Sequence, residues 1–341
     1  MKVDGGLGLT PDIEAIAANA RAQEAAGYDG VWTAETSHDP FLPLVVAAAN
    51  TERLELGTAI AVAFARNPML LANIGWDLQA MSKGRFNLGL GSQIKPHITK
   101  RFSMEWSKPA ARMREMVSAM RAIWDTWETG EKLDFRGDFY QHTLMTPFFT
   151  PEKSDLGDFG VPKIWLAAVG GMMTEVAGEV CDGIICHGFT TEKYLREVTI
   201  PNLAKGREKA GKTMEGFEIS GPFFVVTGQN EEDMAAAEAA TKQQIAFYGS
   251  TPAYKGVLEI HGWEGMQEEL NTLSKQGKWV EMGNIIDDEV LNTFAVVAEP
   301  DKVAGELTKR YGDVVSRLSF YAPGQSDAAQ WRSVMDQLRA A

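Results

Sequence analysis

Cysteine is almost missing from this chain. Only Cys181 and Cys186 occur among 341 residues. Their C-x4-C spacing matches no common zinc or redox pattern, and both flank the apolar run GIICHG, so they read as buried thiols in a reducing compartment. Long apolar runs are missing too. The longest, Phe41–Ala49, is too short to span a bilayer. No basic-then-apolar leader opens the sequence, and the expectation is a soluble, cytoplasmic protein with no membrane partner. Positive charge is scarce: 33 Lys and Arg stand against 46 Asp and Glu, a net charge of −13. That balance argues against a nucleic-acid surface and against anionic membranes, while leaving room for a local pocket that takes an anionic cofactor. No H-x3-H or H-E-x2-H spacing occurs, so no metal site is expected. A G-x-S-x-G elbow and a Walker A sequence are also absent. No Pro-, Gly- or Ser-rich linker divides the chain, and a single domain over residues 1–341 is expected.

What is present is an alternation of strand-length and helix-length segments. Strands are expected at Met1–Leu9, Tyr28–Ala34, Leu54–Val62, Phe86–Leu90, Ile164–Val169, Gly183–His187, Phe217–Thr227 and Leu318–Tyr321. The first helix is expected from Pro11 with Thr10-Pro11-Asp12 as its capped start, stopping at Gly27. Others are expected from near Asp39-Pro40 to Asn50, and at Pro68–Met81, Pro109–Thr129, Met172–Val180, Glu231–Phe247, Pro300–Tyr311 and Ala328–Leu338. A helix over Thr191–Lys209 carries Pro201, a potential break. Two excursions, about residues 92–160 and 250–290, interrupt the rhythm; the first suggests a hairpin across Arg136-Gly137-Asp138. Eight strands alternating with helices suit an α/β fold, a (β/α)8 TIM barrel with insertions after strands four and seven. A doubly wound sheet is the rival, but the opening turn lacks a G-x-G-x-x-G phosphate motif.

In such a barrel the active site lies at the C-terminal ends of the strands. Position alone selects Glu35, Thr36, His38 and Asp39 after strand two, and Thr58–Val62 at the end of strand three. Gly91, Ser92, Gln93, Lys95 and His97 follow strand four, Ala168–Gly171 strand five, and His187–Thr190 strand six. Ala59, Ile60, Ala61 and Gly91 are small or apolar enough to line a flat slot that backbone groups reach. Gly170-Gly171 and Gly188 precede helix N-termini, which favour a phosphate. Among five histidines, His97 beside Lys95 is the candidate for proton transfer. Glu35 is the candidate acid, with a salt-bridged rim carboxylate as the alternative. Met113, Met116, Val117, Met120, Ile123 and Trp124 recur at helical spacing and read as core, whereas Phe139–Phe149 reads as a lid or an oligomer contact. From residues alone the reading stops at a barrel enzyme with a flat ligand, anionic or neutral.

AAGYDGVWTAETSHDPFLPL, LELGTAIAVAFARNP, GRFNLGLGS, PAARMREMVSAMRAIW and LAAVGG…AGEVCDGIICHGFTT together resemble the luciferase-like monooxygenase superfamily, in its branch that uses the deazaflavin coenzyme F420. The resemblance spans the chain in order. It implies a (β/α)8 barrel with insertions, a homodimer, and F420 at the C-terminal rim exchanging hydride with a small-molecule substrate. An FMN-dependent monooxygenase using reduced flavin and oxygen is the alternative on the same barrel. The resemblance places Glu35, Thr58, Ala59, Ile60, Gly91 and Ser92 toward the ring, with a cis peptide at Ala59-Ile60. It places Ala168, Val169, Gly170, Gly171, His187 and Gly188 toward the tail and phosphate. One departure stands out. Sugar-phosphate dehydrogenase relatives end strand four in a Gly-x-Gly-Glu-like sequence, and here Gly91-Ser92-Gln93-Ile94 lacks that Glu. Glucose-6-phosphate chemistry is therefore not carried over, and Glu35 and His97 are the catalytic candidates.

Overall fold

The computed structural model describes residues 1–8, 10–324 and 328–340. Eight parallel strands close on themselves. In barrel order they are strand one Lys2–Gly6, two Gly30–Thr33, three Glu55–Thr58, four Phe86–Gly91, five Lys163–Ala168, six Gly183–Cys186, seven Glu218–Val226 and eight Arg317–Tyr321. Pairing of strand eight with strand one, Lys2 opposite Arg317, shuts the cylinder. Helices surround it, as the right-handed crossover between parallel strands requires. The protein is a (β/α)8 barrel. Two long segments leave the alternation, one after strand four and one after strand seven. Among the described residues no helix is long and apolar enough to cross a membrane.

Local chemistry sets the element ends. Asn67 accepts the Leu70 N–H and Pro68 takes the first turn, so the third helix runs Pro68–Met81 as its periodicity predicts. Pro109 likewise opens Pro109–Thr129, whose buried face carries Met113, Met116, Met120 and Trp124. The first helix departs from expectation. Its cap is Asp12, whose carboxylate accepts from Glu14 and Ala15, so it starts at Ile13; Thr10 only accepts from Asp12. Asp39 accepts from Phe41 and Leu42, so the second helix begins at Leu42. The helix expected from Pro300 begins at Val303. Pro201 does not break its segment. A π turn at Leu195–Thr199 precedes Ile200–Lys209, and Pro201 falls in the first turn of that helix, where proline is tolerated. Strand three ends at Thr58 and resumes as Ala61–Val62 beside strand four. A short strand, Ala295–Val297, pairs with strand seven outside the barrel and has no counterpart in the sequence reading.

The barrel interior explains most strand glycines. Trp32 and Trp165 point inward with ring centroids 5.1 Å apart. A Cβ at Gly57 would lie 2.1 Å from the Trp32 ring, and one at Gly183 would lie 3.1 Å from Trp165. Below them sits Arg317, fully buried. It donates twice to Asp4 at 2.7 Å and once to Glu55 at 2.6 Å, with Glu218 3.5 Å away. Its guanidinium carbon lies 5.3 and 5.2 Å from the two indole centroids. Burial alone would push the Glu55 carboxyl up; Arg317 and Lys2 outweigh it and hold the group at about 2. The N-terminal end of the barrel is thus plugged by charge and tryptophan. The C-terminal end is where a ligand has room.

Candidate active site

A cleft of about 770 Å³ opens at that C-terminal end, within the range typical of small-molecule sites. Ala59-Ile60, Ser92 to Lys95, Ala167 to Gly170 and Ile185 to Gly188 form its barrel side. Trp106 and Pro109 come from the first excursion, Tyr248 and Tyr254 from the region of the second, and Tyr321 from strand eight. Ala59, Ile185 and Pro222 are its floor, shared with a smaller chamber inside the barrel. The Ala59-Ile60 peptide bond is cis, as the resemblance implies.

The structure brings Ala59, Ile60, Ser92, Ala168, Val169, Gly170, His187 and Gly188 to the cleft wall. Gly171 lies next door, in a groove of about 530 Å³ that shares Pro109, Gly170 and Met173 with the cleft. Other expected residues lie elsewhere. Thr58 is turned into the ladder, where its hydroxyl donates to the Gly89 carbonyl at 2.6 Å and accepts the Gly89 N–H at 3.0 Å. Gly91 is buried under Ile60; a Cβ there would lie 2.7 Å from the Ile60 side chain. Gly89 faces the Thr58 carbonyl, where a Cβ would lie at 1.7 Å. Both glycines of LGLGS therefore make room for strand three, not for a ligand.

Glu35 does not line the cleft either. Its carboxylate accepts the Val62 N–H at 2.7 Å and pairs with Arg66 at 2.5 Å, and Arg66 also reaches Asp39 at 3.1 Å. The Glu35 N–H donates to the Ile60 carbonyl at 3.1 Å. The salt-bridged alternative describes this residue, and it braces the back of the Ala59-Ile60 wall. His97 starts a one-turn π helix, His97–Arg101, with its own side chain exposed while Ile98 faces the core. It is not among the cleft-lining residues.

Beside His187, which the sequence reading named, the cleft gathers tyrosines that it passed over. Tyr248 and Tyr321 meet hydroxyl to hydroxyl at 2.8 Å. His187 stacks edge-on to Tyr248 at 4.7 Å and tilted on Tyr254 at 4.5 Å. Its Nδ1 accepts the Phe189 N–H at 3.0 Å. Burial lowers the imidazole to about 4, so the ring is neutral near pH 7 with its hydrogen on Nε2. Burial, then the bond to Tyr248, raises the Tyr321 phenol; burial, then the neighbouring Tyr248, raises that of Tyr254. Tyr321 closes strand eight and so obeys the same end-of-strand rule as the other candidates. Both cysteines are buried and free, with Cys186 pushed up to about 12 by burial. Among the described residues no group of three or more His, Cys, Asp or Glu could hold a metal ion.

Comparison with known proteins gives a consistent family. Residues 1–317 match the family described as luciferase-like monooxygenase. An uncharacterized protein of Mycobacterium tuberculosis is 55% identical over 319 residues, 93% of this chain and 92% of that one. The 5,10-methylenetetrahydromethanopterin reductase of Methanolobus tindarius is 27% identical over 314 residues, 90% of each chain. Among solved structures, the coenzyme F420 dependent tetrahydromethanopterin reductase from Methanopyrus kandleri superposes with a TM-score of 0.77 at 18% identity. That match covers 99% of this chain and 97% of that one.

Proposed function

The chain belongs to the luciferase-like monooxygenase family, and from that premise we propose that it is an oxidoreductase that uses the deazaflavin coenzyme F420 and exchanges hydride with a small organic substrate. The observation that carries the reading is the continuity between the apolar cleft and the groove at Gly170-Gly171. The cleft has the volume for a flat tricyclic ring, and the groove opens on the first turn of helix Gly171–Val180, where N–H groups and the helix dipole favour a phosphate. A Cβ at Gly170 would meet nothing within 4 Å, so the space over that backbone is open. The residues present therefore fit the coenzyme. The chain's 27% identity to a putative coenzyme F420-dependent oxidoreductase of Mycobacterium tuberculosis supports the deazaflavin reading.

Ala59, Ile60, Ala168 and His187 would hold the ring region, and Gly170 and Gly171 the phosphate end. When bound, the coenzyme supplies the two-electron hydride chemistry. The chain's own contribution is to orient the reactants, to keep water from the apolar wall and to offer hydrogen-bond donors from His187 and the tyrosines. Titration of the purified protein with F420 and, separately, with FMN tests the reading by fluorescence quenching. Saturable F420 binding is expected. Tight FMN binding with no F420 binding overturns it and moves the chain to the flavin monooxygenase alternative.

A further inference from the structure

The cleft holds a phenol pair that the coenzyme reading assigns to no part of the coenzyme, Tyr248 and Tyr321, with His187 beside it; the three are brought together from the end of helix Glu231–Gly249, the end of strand eight and the segment after strand six. We propose that this cluster is the docking point for the neutral oxygen, carbonyl or hydroxyl, of a substrate whose remaining body is apolar and ring-sized. The inference deepens the oxidoreductase reading and rests on it for the identity of the site.

Proton counting comes first. Two phenols carry two O–H hydrogens, and the 2.8 Å contact between Tyr248 and Tyr321 consumes one. Whichever phenol donates, one O–H remains, and both residues line the cleft. The pair thus always presents a single donor and spare lone pairs. His187 adds to this. Its Nδ1 is occupied by the Phe189 N–H, which leaves Nε2–H as the ring's donor. The partners are held rigidly. Tyr321 stacks on Phe224 with centroids 4.5 Å apart at 15°, and His187 is fixed between Tyr248 and Tyr254.

Charge then selects the class of oxygen. Among the described cleft-lining residues Lys95 is the only charged side chain, and it stands on the exposed edge after strand four, while the cluster holds phenols and an imidazole. A carboxylate or phosphate oxygen buried here would find no counter-ion beside it. A carbonyl or hydroxyl needs only a donor, which the cluster has. The surrounding surface is apolar and aromatic, with Trp106, Ile60 and the Tyr254 ring available to a flat body. A hydrogen bond donated to a carbonyl oxygen also draws electron density from its carbon, the atom a hydride would attack.

The test compares acetophenone with α-methylstyrene, an isostere in which CH2 replaces the carbonyl oxygen. Affinities are measured by ligand-observed NMR on wild-type protein, Tyr248→Phe, Tyr321→Phe, the double variant Tyr248→Phe/Tyr321→Phe, and Tyr140→Phe. Tyr140 hydrogen-bonds Arg112 away from the cleft and serves as the control. Wild type and Tyr140→Phe should prefer the ketone, and the double variant, which has no phenol O–H left, should lose about fivefold of that preference, the usual worth of one hydrogen bond. Each single variant keeps one phenol O–H but removes the partner that fixes it, and should lose only part of the preference. Thermal melts check that the variants fold. Wild type that binds neither ligand, or both equally, overturns the inference. So does a preference unchanged in the double variant, which would leave the phenol pair as a strut between helix and strand. F420 titration of the same five proteins separates the two ideas. Coenzyme binding without ketone preference removes this inference alone, and ketone preference without coenzyme binding removes the F420 reading alone.

Discussion

The carboxylate of Glu35 accepts the backbone N–H of Val62 at 2.7 Å, reaching from the end of strand two across to the resumed end of strand three. The same oxygen takes the Arg66 guanidinium. One side chain therefore sets the spacing between two strand ends exactly where the cleft wall begins, and it does so from behind. Glu35→Ala leaves the Val62 N–H and Arg66 without their acceptor. A loss of about 2–4 kcal/mol is expected in urea unfolding, since removing one partner of a buried charged pair costs more than the pair contributes. Glu35→Gln keeps an acceptor for Val62 and should lose less. Equal losses in both would show that the charge pair, not the Val62 bond, is what matters.

His97→Ala should leave both stability and F420 affinity unchanged, because the side chain is exposed and outside the cleft. Parallel titrations of the variant and wild type decide this. A marked fall in turnover at unchanged coenzyme affinity would return His97 to the chemistry.

His187 makes stability pH-dependent with a definite sign. Burial holds its folded-state pKa at about 4, against 6.5 for the free side chain. The unfolded chain therefore binds the extra proton first. The contribution is complete above about pH 6.5 and is lost as pH falls through 4. Urea midpoints should drop across that window in wild type. In His187→Asn, which keeps an acceptor for Phe189 but does not titrate, that segment of the curve should flatten.

Glu55 acts lower on the pH scale. Its folded pKa of about 2 lies below the ordinary 4.5, so its contribution is present above 4.5 and disappears as pH falls toward 2. The linked stabilisation is about 2–3 kcal/mol. Asp4, which burial pushes upward, has the opposite sign, so the informative quantity is the difference between wild type and Glu55→Gln. That difference should shrink steadily below pH 4.5 in acid titrations followed by circular dichroism.

Two glycines separate folding from binding. Gly89→Ala places a methyl 1.7 Å from the Thr58 carbonyl and should cost more than about 3 kcal/mol or prevent folding. Gly170→Ala meets nothing in the protein and should change stability by less than about 0.5 kcal/mol. Its F420 affinity should still fall by about tenfold, because the methyl enters the groove a phosphate would use. Undiminished affinity in Gly170→Ala would rule that groove out as the coenzyme's path.

The fold was legible because barrel strands and crossover helices carry strong local signals. Pro68 behind Asn67 and Pro109 at the head of its helix mark their starts, and the Met113-to-Trp124 spacing marks a buried face. The ends that went astray, at Asp12 and Asp39, turned on which of several adjacent polar residues and prolines takes the cap. At the site, the strand-end rule found the right rim but could not say which way each residue faces. Thr58 and Gly91 stand at strand ends yet point into the ladder and under Ile60. The glycines of LGLGS suggested a ligand because their true neighbours, a carbonyl and an isoleucine on strand three, are some thirty residues away in sequence. Tyr248 and Tyr254 belong to a stretch with no strand-end position to single them out, and only the return of that chain over the rim brings them to His187.

The buried arginine has a consequence for a chain still being made. Asp4, Glu55 and Glu218 belong to strands one, three and seven, and the cation they surround lies 313 positions after the first of them. A chain cut short before strand eight keeps the three carboxylates but loses the guanidinium they share, while Glu55 and Glu218 keep their lysines, Lys2 and Lys163. Strand eight brings both that cation and the pairing with strands one and seven, so an early stop just upstream should leave an open sheet and not a slightly shortened barrel.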